Sequence, residues 1–183
     1  KLMTVMVVMD AQQNLDERIG KYTRREHIQL ALVRSDNKSA IALCDAYPGG
    51  KDDCVRAMNA KAKSLYMTNT HFIEASGLSV FNVSTAREYI DVVIESEKYP
   101  LIKDISSSAT IKHKKITLHN TNRALLEGNL WGIILSKTGF TSHAGRCLAL
   151  VVQSKRKYAI VILGEKSIDK RIELAKRLIK NTM

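Results

Sequence analysis

The chain lacks most of what would place it in a specialised class. Its 183 residues contain no low-complexity tract and no internal repeat, and only 2 prolines interrupt them, which argues against linker-rich or solenoid architectures. No apolar run reaches the roughly 18 residues that a membrane-spanning helix needs. With 45% hydrophobic residues, the composition instead predicts one compact unit with a core of its own. No secretory leader is legible, and the sequence opens at "KLMTVMVVMDA" without an initiator Met. A leader that has been removed or left out is therefore expected.

Cysteine is scarce as well. Cys44, Cys54 and Cys147 show no Cys-x-x-Cys spacing, and the five histidines form no His-x-x-x-His pair, so no metal, cofactor or redox motif is expected. Cys44 and Cys54 flank "DAYPGGKDD", a turn that could bring two helices together. A disulfide is left open there, with separate buried thiols the favoured case. Cys147 reads as an ordinary core thiol on a strand.

Negative charge is the minority sign. A formal net charge of +11 and a pI near 9.7 suit either an acidic partner or a solvated basic surface. Apart from "KHKK" at 112–115 and "KRK" at 155–157 the basic residues are scattered, and both clusters read as turn edges, so no nucleic-acid groove is expected.

What is present divides into a helical part and a strand part. "KLMTVMVVMDA" is apolar all round at helical length, which predicts a helix buried on every side. Thr23 and Glu26 stand in capping-box spacing ahead of "HIQLALVR", and Thr85 and Glu88 do the same for "AREYIDVVIES", each predicting a helix start. "KSAIALCDAY" and "KDDCVRAMNAKAKSL" predict two further helices, divided by Pro48-Gly49-Gly50. "ATIKHKKITLHNTN" alternates like a polar hairpin, and "LWGIILSKTGF", "RCLALVVQS" and "KYAIVILGE" read as an antiparallel meander. "SIDKRIELAKRLIKN" closes the chain as an amphipathic helix, with Ile168, Ile172, Leu174, Ala175, Leu178 and Ile179 towards the sheet. The predicted class is α+β, one two-lobed domain over 1–183, with a helical lobe to about 125, a sheet lobe from about 126, and any cleft between them.

Two tripeptides fall where such a cleft would open. Ser35-Asp36-Asn37 interrupts the helical lobe, and Lys137-Thr138-Gly139 ends an apolar strand. Either alone is common. In this order they match two of the three elements of penicillin-binding proteins and class A β-lactamases, the third being Ser-x-x-Lys. Lys1 opens the buried helix, which puts the Ser of that motif three residues ahead of the sequence.

Longer stretches carry a resemblance: "KLMTVMVVMDA", "RSDNKSA", "YPGG", "AMNAKAKSLYMTNTHFIEASGLSVFNVSTAREY", "NTNRALL" and "SKTGFTSHAGRCLALVV". Over nearly its whole length the chain resembles the low-molecular-mass penicillin-binding proteins, serine D-Ala-D-Ala peptidases of the S11 family. "YPGG" and "KTGFT" with "AGRCL" most resemble the D,D-endopeptidase branch. The resemblance implies a penicillin-binding/β-lactamase-like fold whose N-terminal strands and nucleophilic Ser precede the sequence. It also implies a longer connection at Ile19–Gly20.

The roles it implies are specific. Lys1 is the base that takes the nucleophile's proton, since burial and the nearby charge of Lys137 would lower its proton affinity. Ser35 relays a proton to the leaving amine, and Asn37 binds a substrate amide. Lys137 and Thr138 attract the substrate carboxylate, Gly139 admits its backbone, and the Phe140 N–H is a donor of the oxyanion hole. Arg146 and His143 flank the strand turn, and Trp131 reads as packing.

The implied activity is penicillin-sensitive hydrolysis of D-Ala-containing peptide bonds in peptidoglycan, foremost as an endopeptidase on cross-links, with D-Ala-D-Ala carboxypeptidase the runner-up. The implied partners are peptidoglycan peptide stems and β-lactams as covalent inhibitors, without nucleic acid. The implied setting is the bacterial periplasm, with room for peripheral contact with the inner membrane or the wall. A β-lactamase and a non-catalytic basic wall-binding module are the readings from other classes.

Overall fold

The computed structural model describes residues 1–128 and 131–180. Helix α1, Leu2–Asp10, runs through the centre, and every residue from Leu2 to Val8 is buried. Thr4, the one polar residue of that run, donates its hydroxyl to the Ala75 carbonyl at 2.8 Å, so its burial leaves no orphaned group. The all-round apolar pattern is thus what lets this helix serve as an axle for the rest.

Around it the helices begin where their caps predict. Thr23 and Glu26 form a reciprocal capping box on α2, Arg24–Val33. Asp36 accepts from the Ser39 N–H at 2.7 Å and caps α3, Asn37–Asp45. Helix α4, Gly50–Ser64, carries Asp52 and Asp53 in its first turn and Lys61 and Lys63 in its last, as the helix dipole favours. Thr85 caps α5, Ala86–Glu97. There only half of the expected box closes, because the Glu88 carboxylate accepts from Asn69 N–H at 2.9 Å and from Thr70 Oγ1 at 2.6 Å and ties down the preceding turn. Pro100 does more than end α5. It sits in the first turn of α6, Pro100–Ser107, where its missing N–H costs nothing, and this helix has no counterpart in the sequence reading.

Cys44 and Cys54 correct the sequence expectation. They form a disulfide, with Cα atoms 5.3 Å apart, that links α3 to α4 across the Pro-Gly-Gly turn. Both sit in the hydrophobic core. Replacing both by Ser should lower stability by about 2–3 kcal/mol for a loop this short. Urea unfolding reads the loss, and a reductant should reproduce it in the parent protein while leaving the double variant unchanged.

The connection after Ile19 is short in this chain. Strands β1, Arg18–Ile19, and β2, Tyr22–Thr23, pair directly, and Gly20 at φ +60° closes the tight turn between them. The hairpin leads straight into the α2 cap at Thr23.

Strands β3, Thr110–His113, and β4, Ile116–His119, form the expected polar hairpin, followed by the one-turn helix α7, Arg123–Leu126. The meander follows as β5, Ile133–Thr141, β6, Gly145–Gln153, and β7, Lys157–Glu165, antiparallel in the order β5-β6-β7. Leu130 of the predicted first strand and Asn181 of the predicted last helix lie outside the described residues. At the β5–β6 turn Gly145 adopts φ +68°, and a Cβ there would press on the Gly164 and Glu165 backbone at 3.0 Å.

Alternation along β6 sorts the core. Ala149 and Val151 join Leu135 against the helical lobe, while Leu148, Leu150 and Val152 face the second core under α8, Ile168–Lys180. Ala175 and Ile179 fill that core with Leu174 and Leu178 beside them, as predicted. Arg171 breaks the pattern, occupying the buried side of the helix at 5% exposure. The fold is α+β: a helical lobe, an antiparallel sheet and a covering helix. No helix among the described residues is long and apolar enough to cross a membrane.

Candidate active site

A cleft of about 830 Å³ opens where the helical lobe meets strand β5. Lys1, Ser35, Asn37, Lys137, Thr138 and Gly139 all line it, although 102 residues separate Ser35 from Lys137 in the chain. Their elements explain the convergence. Lys1 is the N-cap residue of the buried α1, so its side chain starts from a rigid point. Ser35 lies in the break between α2 and α3 at φ +56°, a left-handed conformation that costs a non-glycine residue about 1–3 kcal/mol. The Asp36 cap and the bond from Asp36 N–H to Leu30 O hold that strained turn in place. Asn37 opens α3 beside it.

Two lysines bind the walls together. The Lys1 ammonium donates to Asn37 Oδ1 and to the Ser76 carbonyl, each at 2.6 Å. The Lys137 ammonium donates across the cleft to Ser35 Oγ at 2.8 Å and back to the Thr138 carbonyl at 2.7 Å. Lys137 and Thr138 are only 8% and 9% exposed, so these contacts form away from bulk water.

Burial is expensive for an ammonium, and the two lysines meet it differently. Burial pushes Lys1 below its ordinary value, and the Glu74 and Asp36 carboxylates pull part of that back. Among the described residues no carboxylate gives Lys137 such relief. Burial, then the charge of Lys1, then that of Arg171 push it down to about 7. The repulsion between the two ammonium groups is mutual, and in the structure it adds to the burial of Lys137.

Glu74 also builds the wall that holds Lys1. Its carboxylate accepts from Ser76 N–H, Ser76 Oγ, Gly77 N–H and Asn82 Nδ2 at 2.5–2.7 Å, folding the loop so that the Ser76 carbonyl meets Lys1. Burial alone would raise its proton affinity, but hydrogen bonds from Ser76, Ser79 and Gly77 hold it below the usual carboxylate range. Sequence reasoning misses Glu74. A lone acid in a turn-rich segment gives no sign that four donors will close on it.

Strand β5 is the edge of its sheet among the described residues, so alternate backbone groups on its outer side are free of ladder partners. Gly139 pairs with Cys147, and a Cβ at Gly139 would lie 3.5 Å from Cys147 Cβ. That is ordinary contact, so packing on β6 does not by itself demand glycine. Phe140 is 55% exposed, with the Arg146 guanidinium stacked 3.8 Å from its ring centre. This stacking gives Arg146 a structural task, while His143 reaches the same cleft.

Cys147 is not a core thiol: it is partly exposed and lines the cleft, a correction that follows from its position opposite Gly139 near the open end of the β5–β6 pair. Arg171 lines the cleft too. It donates from Nη1 to the Cys147 carbonyl at 3.1 Å, and its buried Nε has no partner among the described residues. The signal available in the sequence was a cation at an apolar position of an amphipathic helix. Trp131 packs against the second core, as expected. Among the described residues no group of three or more His, Cys, Asp or Glu could hold a metal ion.

The arrangement can accept a proton at one amine, hold a hydroxyl at the other, and lay an extended anionic peptide along a strand edge. Known proteins share this fold and much of this sequence. Solved structures with the same fold include penicillin-binding protein D2 from Listeria monocytogenes in its cefotaxime-bound form, with TM-score 0.87, 27% identity, and coverage of 98% of this chain and 83% of that one. They also include the Streptomyces K15 DD-transpeptidase, with TM-score 0.89, 25% identity and coverage of 98% and 84%. The D-alanyl-D-alanine endopeptidase of Escherichia coli K12 is 42% identical over 89% of this chain, and that of Pseudomonas aeruginosa 41% over 82%. The chain spans 61% and 56% of the length of these two relatives. The D-alanyl-D-alanine carboxypeptidase family, peptidase family S11, matches residues 15–167, and the chain belongs to it.

Proposed function

We propose that the protein is a penicillin-sensitive acyl-serine D,D-peptidase of the bacterial periplasm, one two-lobed domain that cleaves D-Ala-containing bonds in peptidoglycan, foremost those of cross-links. The observation that carries this is the pair of lysine contacts meeting in one cleft, Lys1 with Asn37 and Lys137 with Ser35. The endopeptidase reading is favoured over a carboxypeptidase because the D-alanyl-D-alanine endopeptidases of two species are 41–42% identical, whereas related carboxypeptidases are 28–32% identical. The Cys44–Cys54 disulfide suits an oxidising compartment.

In this reading the nucleophile is a Ser three residues ahead of Lys1, one helical turn away and on the same face. Lys1 accepts its proton as Oγ bonds to the D-Ala carbonyl carbon. Negative charge gathers on the carbonyl oxygen, where the Phe140 N–H is one donor, a contribution of about 3 kcal/mol. The carbon–nitrogen bond then breaks: Ser35, held by Lys137, gives its hydroxyl proton to the departing amine and takes up in turn the proton that Lys1 accepted. Water splits the remaining ester. Asn37 and the edge of β5 bind the peptide, with Thr138 and Lys137 toward its anionic group. β-Lactams follow the same first step and stay attached.

The test is to label the full gene product with a fluorescent penicillin and to digest purified cross-linked and pentapeptide muropeptides. A stable covalent adduct and preferential loss of cross-linked dimers are expected. A folded protein without an adduct overturns the reading. Rapid turnover of the penicillin would make the protein a β-lactamase.

A further inference from the structure

Thr121 is a residue to which the mechanism above gives no task. Its hydroxyl lies 2.6 Å from the Thr138 hydroxyl, with either oxygen able to donate, and both residues line the cleft. This is the only side-chain hydrogen bond of Thr138 among the described residues.

The scaffold behind Thr121 is unusually complete. Its N–H donates to the Val33 carbonyl at 3.1 Å, just before the strained Ser35 turn. On one side Asn120 donates to the Ser106 and Ser108 carbonyls at 3.1 and 3.0 Å. On the other, Asn122 donates to Ser136 Oγ on β5 at 2.9 Å. Asn120 Oδ1 accepts from the Asn122 N–H at 2.9 Å, closing the turn on itself. Asn120 and Asn122 are buried, so the segment is pinned at once to α6, to the end of α2 and to β5. Thr121 stands between two fixed anchors and cannot follow Thr138 if that side chain turns.

Hydroxyl chemistry then decides the direction of the bond. Each hydroxyl has one proton and two lone pairs. If Thr138 donates to Thr121, it shows only lone pairs to the cleft, and these repel a carboxylate. If Thr121 donates, the Thr138 proton is free to point at the ligand. Arg171 and the two lysines line this wall, so an anion drawn there is bound by the second arrangement. We propose that Thr121 is a positioning residue that donates its hydroxyl proton to Thr138 and thereby aims the Thr138 O–H at the carboxylate of a bound substrate or β-lactam. The inference rests on the peptidase reading of the cleft and adds to it a determinant of anion selectivity.

The experiment measures second-order acylation of the full gene product by benzylpenicillin and by its methyl ester, for the parent, T121V and T121S. T121V keeps the shape and removes the donor, while T121S restores it. T121V should lose about tenfold with benzylpenicillin and less than about twofold with the ester, and T121S should stay within about twofold of the parent on both, since one hydrogen bond to a charged group is at stake. An equal loss on both ligands would make Thr121 merely structural and overturn the proposal, as would an undiminished rate in T121V. Should T121V not fold, T121A is read by the same ratio of the two ligands. A parent protein that forms no adduct overturns the peptidase reading, and this inference with it, whereas an adduct that T121V forms unchanged overturns this inference alone.

Discussion

Replacing Lys1 by Met in the full gene product should lower acylation by a fluorescent penicillin by about a thousandfold, within the 10²–10⁴ range of general-base catalysis. Methionine keeps most of the side chain's apolar stem but neither accepts a proton nor donates to Asn37 Oδ1 and the Ser76 carbonyl, the two contacts Lys1 makes at 2.6 Å. Arginine in the same place separates two explanations. It keeps the positive charge and can reach the same acceptors, yet it stays protonated at any working pH. If Lys1 serves as a base, both variants lose acylation to a similar depth. If it serves only to hold charge and geometry, Lys1→Arg retains most of the rate, and that result would remove Lys1 from the proton-transfer step. Thermal unfolding supplies the control, because neither change strands a buried carboxylate. Glu74 keeps its four donors from Ser76, Gly77 and Asn82 in both variants.

How far such a site is legible from sequence depends on the range of the interactions that make it. Local rules suffice for the buried α1, whose unbroken apolar run admits one reading, and for α2, whose Thr23–Glu26 box closes as spaced. Ser35 and Lys137 are each uninformative tripeptide members, and only their order and the surrounding family-like wording bring them together before the fold shows them 2.8 Å apart. Pro100, whose missing N–H bars it from a helix interior, follows α5 and opens α6. Glu74, Thr121 and Arg171 escape altogether. Their tasks arise from partners contributed by other elements: the loop backbone around Glu74, Val33 and Thr138 around Thr121, the β6 carbonyl beside Arg171. The Cys44–Cys54 bond lies between. Its loop is short enough to suggest closure, but whether two helices face each other is settled by packing.

Lys137→Met should reduce acylation by about a hundredfold, by removing a cation from the substrate wall and the donor that holds Ser35. The change in pH dependence is more telling than the loss itself. In the parent, Lys1 and Lys137 repel each other, so the site titrates as a pair. Lys137, pushed to about 7 by burial, Lys1 and Arg171, makes the second proton of the pair hard to add. Below about pH 7 both amines are charged and no base is present. Above it one proton is shared, and the state with neutral Lys1 and charged Lys137 becomes accessible, so the acylation rate should rise through that region. With Met at 137, Lys1 feels no cationic neighbour from β5 and still has Glu74 and Asp36 beside it. Its proton is held to higher pH, and the rising limb should move in the alkaline direction. Stability offers an independent check with a fixed sign. Lys137 has an ordinary value of 10.5 and a folded value near 7. Between those limits the unfolded chain therefore binds more protons, and parent stability should climb as the pH rises from about 7 to 10. The slope should be shallower in Lys137→Met. A rate profile that keeps its limb near pH 7, together with an unchanged stability slope, would show that Lys137 carries its full charge in the folded protein and that the two amines do not share the proton.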